Sequence, residues 1–248
     1  MKTALVTTTF SKSVNNLRFQ LALKTCQAAK TAGYPIYIVD GSPEPQMSQL
    51  LRDAGAIVEI QKEEGMGASR RQCLAMGLES GADVIVWLEP EKHTLVPLLE
   101  PCISLVINNE ADAVIPRRPN LDGYPQYQHF SELRANWEIA DVTGRYDIDY
   151  LVGPRIMNQL AAGHMLQYDG RIGSEKVFND NWEILFVPIL WWLIKGLTVK
   201  SVTVDYQHPP EQLVEDDEVM RQKRDKQRKD LVDAMRIEAN HLRYRPRW

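Results

Sequence analysis

The sequence predicts an α/β fold, a mostly parallel β-sheet covered by helices on both faces. Three observations predict it. Short β-rich apolar segments recur through the first 115 residues, segments of helical period separate them, and glycine, proline or polar clusters punctuate the ends. Strands alternating with helices at this spacing pair in parallel, with right-handed crossovers.

The elements follow in order. Thr3 to Thr8 (TALVTT) reads as a strand, and Asn15 to Thr31 carries Leu17, Leu21 and Ala28 at helical spacing. Gly33 stops that helix and PIYIV, Pro35 to Val39, supplies the second strand. The turn Asp40-Gly41-Ser42-Pro43 leads to a short helix over Glu44 to Asp53, then a third strand, Ala56 to Ile60. Gly65 to Glu79 is helical, Ala82 to Leu88 is the fourth strand, Leu95 to Asn108 is a helix and Ala111 to Ile115 is a strand. Beyond Arg117 the pattern loosens. A helix is expected near Ser131 to Ala140, a strand over residues 146–152, helices over Pro154 to Ala162 and Trp182 to Lys195, and a strand over Leu197 to Val204. The charge-rich stretch Glu211 to Leu242 reads as a solvated C-terminal helix, acidic first and basic later, packed by Val219, Leu231, Met235 and Leu242.

Composition narrows the function classes. With 248 residues, 44% apolar and 25% charged, the chain can bury a full core, and no repeat or low-complexity linker divides it, so one domain over residues 1–248 is expected. A net charge of −4 argues against nucleic acid as the main partner. Cys26, Cys73 and Cys102 fit neither a disulfide framework nor a zinc spacing, which points to a reducing cytoplasm. The N-terminus lacks a secretory signal, and the longest apolar run, Ile184 to Ile194, contains Pro188 and is about half of the ~20 residues a membrane span needs. Trp191 and Trp192 leave contact with the inner face of a membrane open.

In such a sheet ligands sit beyond the carboxyl ends of the strands. Four strand ends there are polar: Thr8 and Thr9; Asp40 with Ser42; Gly65-Met66-Gly67-Ala68-Ser69-Arg70-Arg71; and Glu89 with Glu91. Glycines let the backbone approach closely, a helix start presents N–H groups and arginine offers a forked cation, a combination suited to a diphosphate. Arg70 and Arg71 lie about 100° apart on a helix, so one of the two should face the ligand. The segment is neither a P-loop nor a dinucleotide fingerprint.

The series IVDGSP, GMGASRR, a strand ending in acid-x-acid and ADAVIPRR resembles the nucleotide-sugar-binding half of family 2-type glycosyltransferases of GT-A fold, over residues 3–116. The resemblance implies that Asp40 contacts the nucleobase, that Gly65 and Gly67 with Arg70 or Arg71 hold the diphosphate, that Glu89 touches ribose and that Glu91 ligates Mg²⁺ or Mn²⁺. Glutamate replaces the usual aspartates of the acidic motif. The acceptor half would be residues 117–208, followed by a helical extension over 209–248. Within it, His208 resembles a late metal ligand, with His93 a less motif-like candidate. Asp180 and Glu183 in NDNWEI resemble the catalytic base, although Asp-x-x-Glu is equally a capping box.

The expected activity is transfer of a sugar from a nucleoside-diphosphate sugar to a hydroxyl acceptor in cell-wall or envelope polysaccharide synthesis. Two readings stand beside it. A sugar nucleotidyltransferase would share the sheet but usually places its glycine-rich turn straight after the first strand, where TTTFSKS stands. A non-catalytic nucleotide-binding protein is the other, kept alive by the glutamates in the acidic motif.

Overall fold

Successive residues of the central strands are buried, with Ala4, Leu5 and Val6 and then Val84, Ile85, Val86 and Trp87 at most 1% exposed. Alternate side chains of a strand point to opposite faces, so both faces of the sheet are covered. The computed structural model describes residues 1–173, 176–177, 180–213 and 217–243.

Strands β1 (Thr3–Thr9), β2 (Ile36–Asp40), β3 (Ile57–Ile60), β4 (Val84–Trp87), β5 (Ala113–Arg117), β6 (Arg155–Asn158) and β9 (Val199–Thr203) form one sheet in the order β3-β2-β1-β4-β6-β5-β9. The order reverses direction at β1, where the chain goes first outward to β2 and β3 and then back to β4. Only β6 is antiparallel to its neighbours, pairing Trp87 with Arg155 and Val114 with Ile156. A two-stranded ribbon, β7 (Arg171–Ile172) with β8 (Lys176–Val177), lies apart from it.

Helices α1 (Leu17–Thr31), α2 (Pro45–Asp53), α3 (Met66–Glu79) and α4 (Glu100–Ile107) link the parallel strands. Helices α5 (Gln126–Thr143), α6 (Gln159–Gln167), α7 (Val187–Ile194) and α8 (Glu218–His241) belong to the second half. Buried residues from Ala4 to Ala239 form one contiguous apolar cluster. None of the described helices is long and apolar enough to cross a membrane.

The sequence expectation holds through β5 and fails at the next strand. Residues 146–152 are a loop ending in a 3₁₀ turn, and the strand lies at Arg155–Asn158, inside the expected helix. Gly153, with φ +99°, redirects the chain between them. Arg155 is fully buried and donates to the carbonyls of Tyr150, Gly153, Pro154 and Leu185, so a charged residue anchors this corner where the apolar pattern gives no hint. The Trp182 to Lys195 helix is likewise a 3₁₀ turn followed by α7, with Pro188 in its first turn where the missing N–H costs nothing.

The C-terminal helix starts at Glu218, capped by Asp217, whose side chain accepts from the Met220 N–H. Leu231 and Met235 are buried as expected, whereas Val219 is 74% and Leu242 37% exposed, because the first and last turns run past the body they pack on. Residues 214–216 of the expected helix lie outside the described residues. Trp192 is fully buried and the Trp191 indole N–H donates to Glu238, so both tryptophans of α7 are engaged within the protein.

Candidate nucleotide-sugar site

A cavity of about 700 Å³ opens at the carboxyl ends of β1 to β4. Each strand end delivers part of its wall: Thr8 to Ser11 after β1, Gly41 and Ser42 after β2, Ile60 to Met66 with Ser69 and Arg70 after β3, and Trp87, Glu89 and Pro90 from β4. Trp182 closes it from the second half of the chain. Thr8, Gly65, Arg70 and Glu89 thus meet at one cavity, from three separate stretches of sequence.

Asp40 stands behind that wall. It is fully buried, and its carboxylate accepts from Thr9 Oγ1 at 2.9 Å, Ser42 N at 3.1 Å, Ser42 Oγ at 2.6 Å and Ser48 Oγ at 2.5 Å. Four donors leave a carboxylate little left to offer a ligand. Asp40 ties β1, β2 and α2 together and so shapes the Thr8 and Ser42 wall, directly behind the place expected for the base.

The two arginines of GMGASRR part ways as helical spacing requires. Arg70 faces the cavity, only 3% exposed, with its guanidinium 4.3 Å from the Trp182 ring centre and 5.2 Å from that of Trp87. One Nη donates to the Asn181 carbonyl at 2.5 Å, while Nε is buried without a hydrogen-bond partner among the described residues. Burial lowers its pKa to about 10, against the pull of Glu89, which keeps it charged at neutral pH.

Arg71 turns away and grips Asp180 with two hydrogen bonds, at 2.8 and 2.6 Å, while also donating to the Tyr168 carbonyl. Gly67 lies beneath that carboxylate, and its N–H donates to the Asp180 carbonyl at 2.8 Å. The second glycine of the motif therefore makes room for Asp180, and its amide is used inside the protein. Neither Gly67, Arg71 nor Asp180 lines the cavity. Glu183 is 3% exposed and accepts from the Asn181 N–H at 2.9 Å, and burial raises its pKa. Asp180 thus holds the Gly65–Arg71 segment against the second half of the chain, and Glu183 supports the same loop through Asn181. Asn179 of the same motif lies outside the described residues.

The acidic motif is a tight turn in which Lys92 N–H donates to the Glu89 carbonyl and Thr25 Oγ1 donates to the Pro90 carbonyl at 2.6 Å. Glu89 lines the cavity, with its carboxylate against Gly153 and 4.0 Å from Lys92 Nζ. Burial raises its pKa, Lys92 opposes the rise, and the neighbouring Glu91 adds to it. Glu91 lies deeper and binds Arg18 Nη2 at 2.5 Å.

No protein-family model matches the sequence, and no curated protein matches it either. Solved structures do. Glucosyl-3-phosphoglycerate synthase from Mycobacterium tuberculosis, in complex with Mn²⁺, UDP-glucose and phosphoglyceric acid, superimposes with a TM-score of 0.64 at 12% identity, over 95% of this chain and 80% of that one. Mannosyl-3-phosphoglycerate synthase from Rubrobacter xylanophilus gives 0.64 at 12% identity, over 100% of this chain and 77% of that one. The M. tuberculosis enzyme with Mg²⁺ and UDP gives 0.52 at 13% identity, over 85% and 73%. The chain has the GT-A fold.

On the GT-A fold the metal question falls to Glu89 and Glu91. One oxygen of each is buried without a hydrogen-bond partner among the described residues, and the two carboxylates repel one another. Hard carboxylate oxygens without a hydrogen-bond partner suit Mg²⁺ or Mn²⁺, which take water and phosphate as further ligands. His208, expected as a further ligand, has one ring nitrogen engaged. Its Nδ1 is hydrogen-bonded to Tyr206 Oη at 3.1 Å and its ring lies 4.9 Å from that of Tyr124. Burial, then Lys92 and Arg118, push its pKa down to about 2. Among the described residues no group of three or more His, Cys, Asp or Glu side chains is arranged to hold a metal. His93, half-buried in the same turn, does not line the cavity.

Among the residues of this GT-A cavity that sequence reading missed are Phe10, Arg18 and Trp87. Phe10 is 66% exposed in the loop after β1, an aromatic left in solvent where a strand end meets the cavity. Arg18 follows the Asn16 cap of α1, whose side chain accepts from the Arg18 N–H, and so stands at the helix end nearest the strand ends. Its signal was position: the first turn of the helix after β1 returns to the same edge of the sheet.

Proposed function

We propose that this chain is a glycosyltransferase that moves a sugar from a nucleoside-diphosphate sugar to a hydroxyl acceptor. The convergence of Thr8, Gly65, Arg70 and Glu89 on one cavity at the strand ends carries the reading. The solved structures of the same fold support it, since one of them holds UDP-glucose and phosphoglyceric acid with Mn²⁺.

In this reading the Thr8 to Ser11 and Gly41–Ser42 walls take the nucleoside, with Phe10 offering a ring face to the base. Glu89 accepts from a ribose hydroxyl through its unpartnered oxygen. Arg70, clamped between two indoles, presents a fixed cation to the diphosphate and stabilises charge that grows as the bond to the sugar breaks. A divalent ion held by Glu89 and Glu91 would add Lewis-acid stabilisation of the leaving diphosphate. Asp180 and Arg71 act as positioning residues that fix the turn carrying Arg70. The acceptor is an envelope polysaccharide or a small phosphorylated hydroxy acid, and the reaction is placed in the cytoplasm.

The experiment is calorimetry and donor hydrolysis with UDP-, GDP- and dTDP-sugars, with and without Mn²⁺, followed by transfer to both acceptor classes. Binding of one nucleotide family with slow hydrolysis is expected. No binding and no hydrolysis with any of them would sink the reading.

A further inference from the structure

Glu91 is not solely a candidate ion ligand, because it already holds a cation of the protein's own. Arg18 Nη2 lies 2.5 Å from Glu91 Oε1, and the Arg18 side chain is 66% exposed on the cavity wall while that of Glu91 is 9% exposed. Nε and Nη1 of Arg18 make no hydrogen bond to the described residues. An arginine anchored by one edge from below thus presents its remaining N–H groups to the cavity, the geometry in which guanidinium grips a phosphate.

The charges around it point the same way. Glu89 and Glu91 face Arg18, Arg70, Lys92 and Arg155, an excess of two positive charges, as many as one divalent ion carries. Glu183 and Asp180 also face Arg70, and Asp149 faces Arg155, but Asp180 and Asp149 are each paired with their own arginine, Arg71 and Arg118. Counting Glu183 as ionised still leaves a positive excess around the acidic turn itself, while Glu63 and Glu64, both exposed, line the cavity from the loop after β3. Of the other cationic side chains on the wall, Lys62 is paired with Glu59 and Arg70 is pinned between Trp87 and Trp182.

Building on the donor-site reading, we infer that Arg18 binds the diphosphate of the nucleotide directly, with Glu91 as its positioning residue, so that the site retains nucleoside-diphosphate affinity without a divalent ion. The nucleotide's phosphates meet Arg18 on one side and Arg70 on the other.

Titration calorimetry of the full chain with UDP, GDP and dTDP, in EDTA and in excess Mn²⁺, tests this. The best-binding diphosphate is then compared with its nucleoside on R18A, R18K and E91Q. Binding that persists in EDTA is expected, with R18A weaker there by about 10- to 100-fold, as loss of a charge-assisted hydrogen bond implies. R18K should recover part of the loss, E91Q should fall between it and wild type, and nucleoside affinity should not move. Wild-type binding that requires Mn²⁺, or R18A within twofold of wild type in EDTA, overturns the role of Arg18. No diphosphate binding under either condition overturns the donor-site reading itself. R18A leaves the buried Glu91 carboxylate without its cation and should lower the melting temperature by a few degrees, so R18K, which keeps the charge, and the nucleoside control separate a binding role from lost stability.

Discussion

Gly67→Ala offers a measurement of how the two halves of the chain are joined. A Cβ at Gly67 would have three atoms of the Asp180 carboxyl group within 2.5 Å. Gly67 is buried and its own amide is bonded to the Asp180 carbonyl, so the backbone cannot back away. The carboxylate must move, and the bidentate pair with Arg71, at 2.8 and 2.6 Å, breaks. Overpacking of this kind costs about 1–3 kcal/mol, and a pair whose side chains are 23% and 28% exposed adds up to about 1 kcal/mol. Alanine in place of a helical glycine returns about 0.5–1 kcal/mol. The net is a loss of about 0–3.5 kcal/mol, centred near 2 kcal/mol, which for a chain of this size is a fall of up to roughly 14 °C in melting temperature.

A double-mutant cycle with Asp180→Ala isolates the clash. With the carboxylate gone, Gly67→Ala should cease to destabilise and should add about 0.5–1 kcal/mol. Urea or thermal unfolding of the four proteins measures it. If Gly67→Ala destabilises the Asp180→Ala protein as much as it does wild type, the packing of Asp180 on Gly67 is not what the glycine is for.

Further outcomes follow from single contacts. Ser48→Ala removes a donor from the fully buried Asp40 carboxylate and should cost about 1.5–3 kcal/mol in urea unfolding without removing any cavity-wall atom. Glu238→Ala leaves the Trp191 indole N–H and the Gly173 N–H without their acceptor and should cost about 1–3 kcal/mol by the same measurement. Phe10→Ala should leave the melting temperature unchanged and weaken nucleotide binding about fivefold or more, as expected for loss of a base-stacking ring; unchanged affinity would remove Phe10 from the site. Burial works against the Asp149 carboxylate, and the Arg118 guanidinium overrides it, holding the folded-state pKa below the ordinary value. A depressed folded pKa gives stability that is full above the unfolded value of about 3.9 and is lost as pH falls through the folded one. Asp149→Asn should therefore flatten the stability–pH curve below about pH 4, and an unchanged slope would contradict the pairing.

The legible part of this molecule is the part written in periodicity. Strands such as PIYIV and VIVW are runs of apolar residues because both faces are covered, and helices between them show their stripes, so the parallel half could be read almost to its ends. The antiparallel β6 could not. Its corner depends on Gly153 and on Arg155 satisfying four carbonyls, a buried arginine that no hydropathy pattern announces. At the site, the strand ends named which segments meet, since topology fixes where carboxyl ends gather.

Sequence could not say which side chain of each segment faces the cavity. Asp40 and Arg71 look as functional as Thr8 and Arg70 when read in line, and only their partners separate them: three serine and threonine side chains and one backbone amide around Asp40, one carboxylate across Arg71. Arg18 was invisible for the opposite reason, being an ordinary residue of an ordinary helix until Glu91 takes hold of it. The sequence by itself determined a mostly parallel sheet, the succession of its first five strands along the chain and the cluster of segments at their ends, because these follow from local pattern and chain connectivity. Tertiary structure alone decided which charges are spent on each other and which remain for a ligand, because pairing is set by distance in space between residues far apart in the chain.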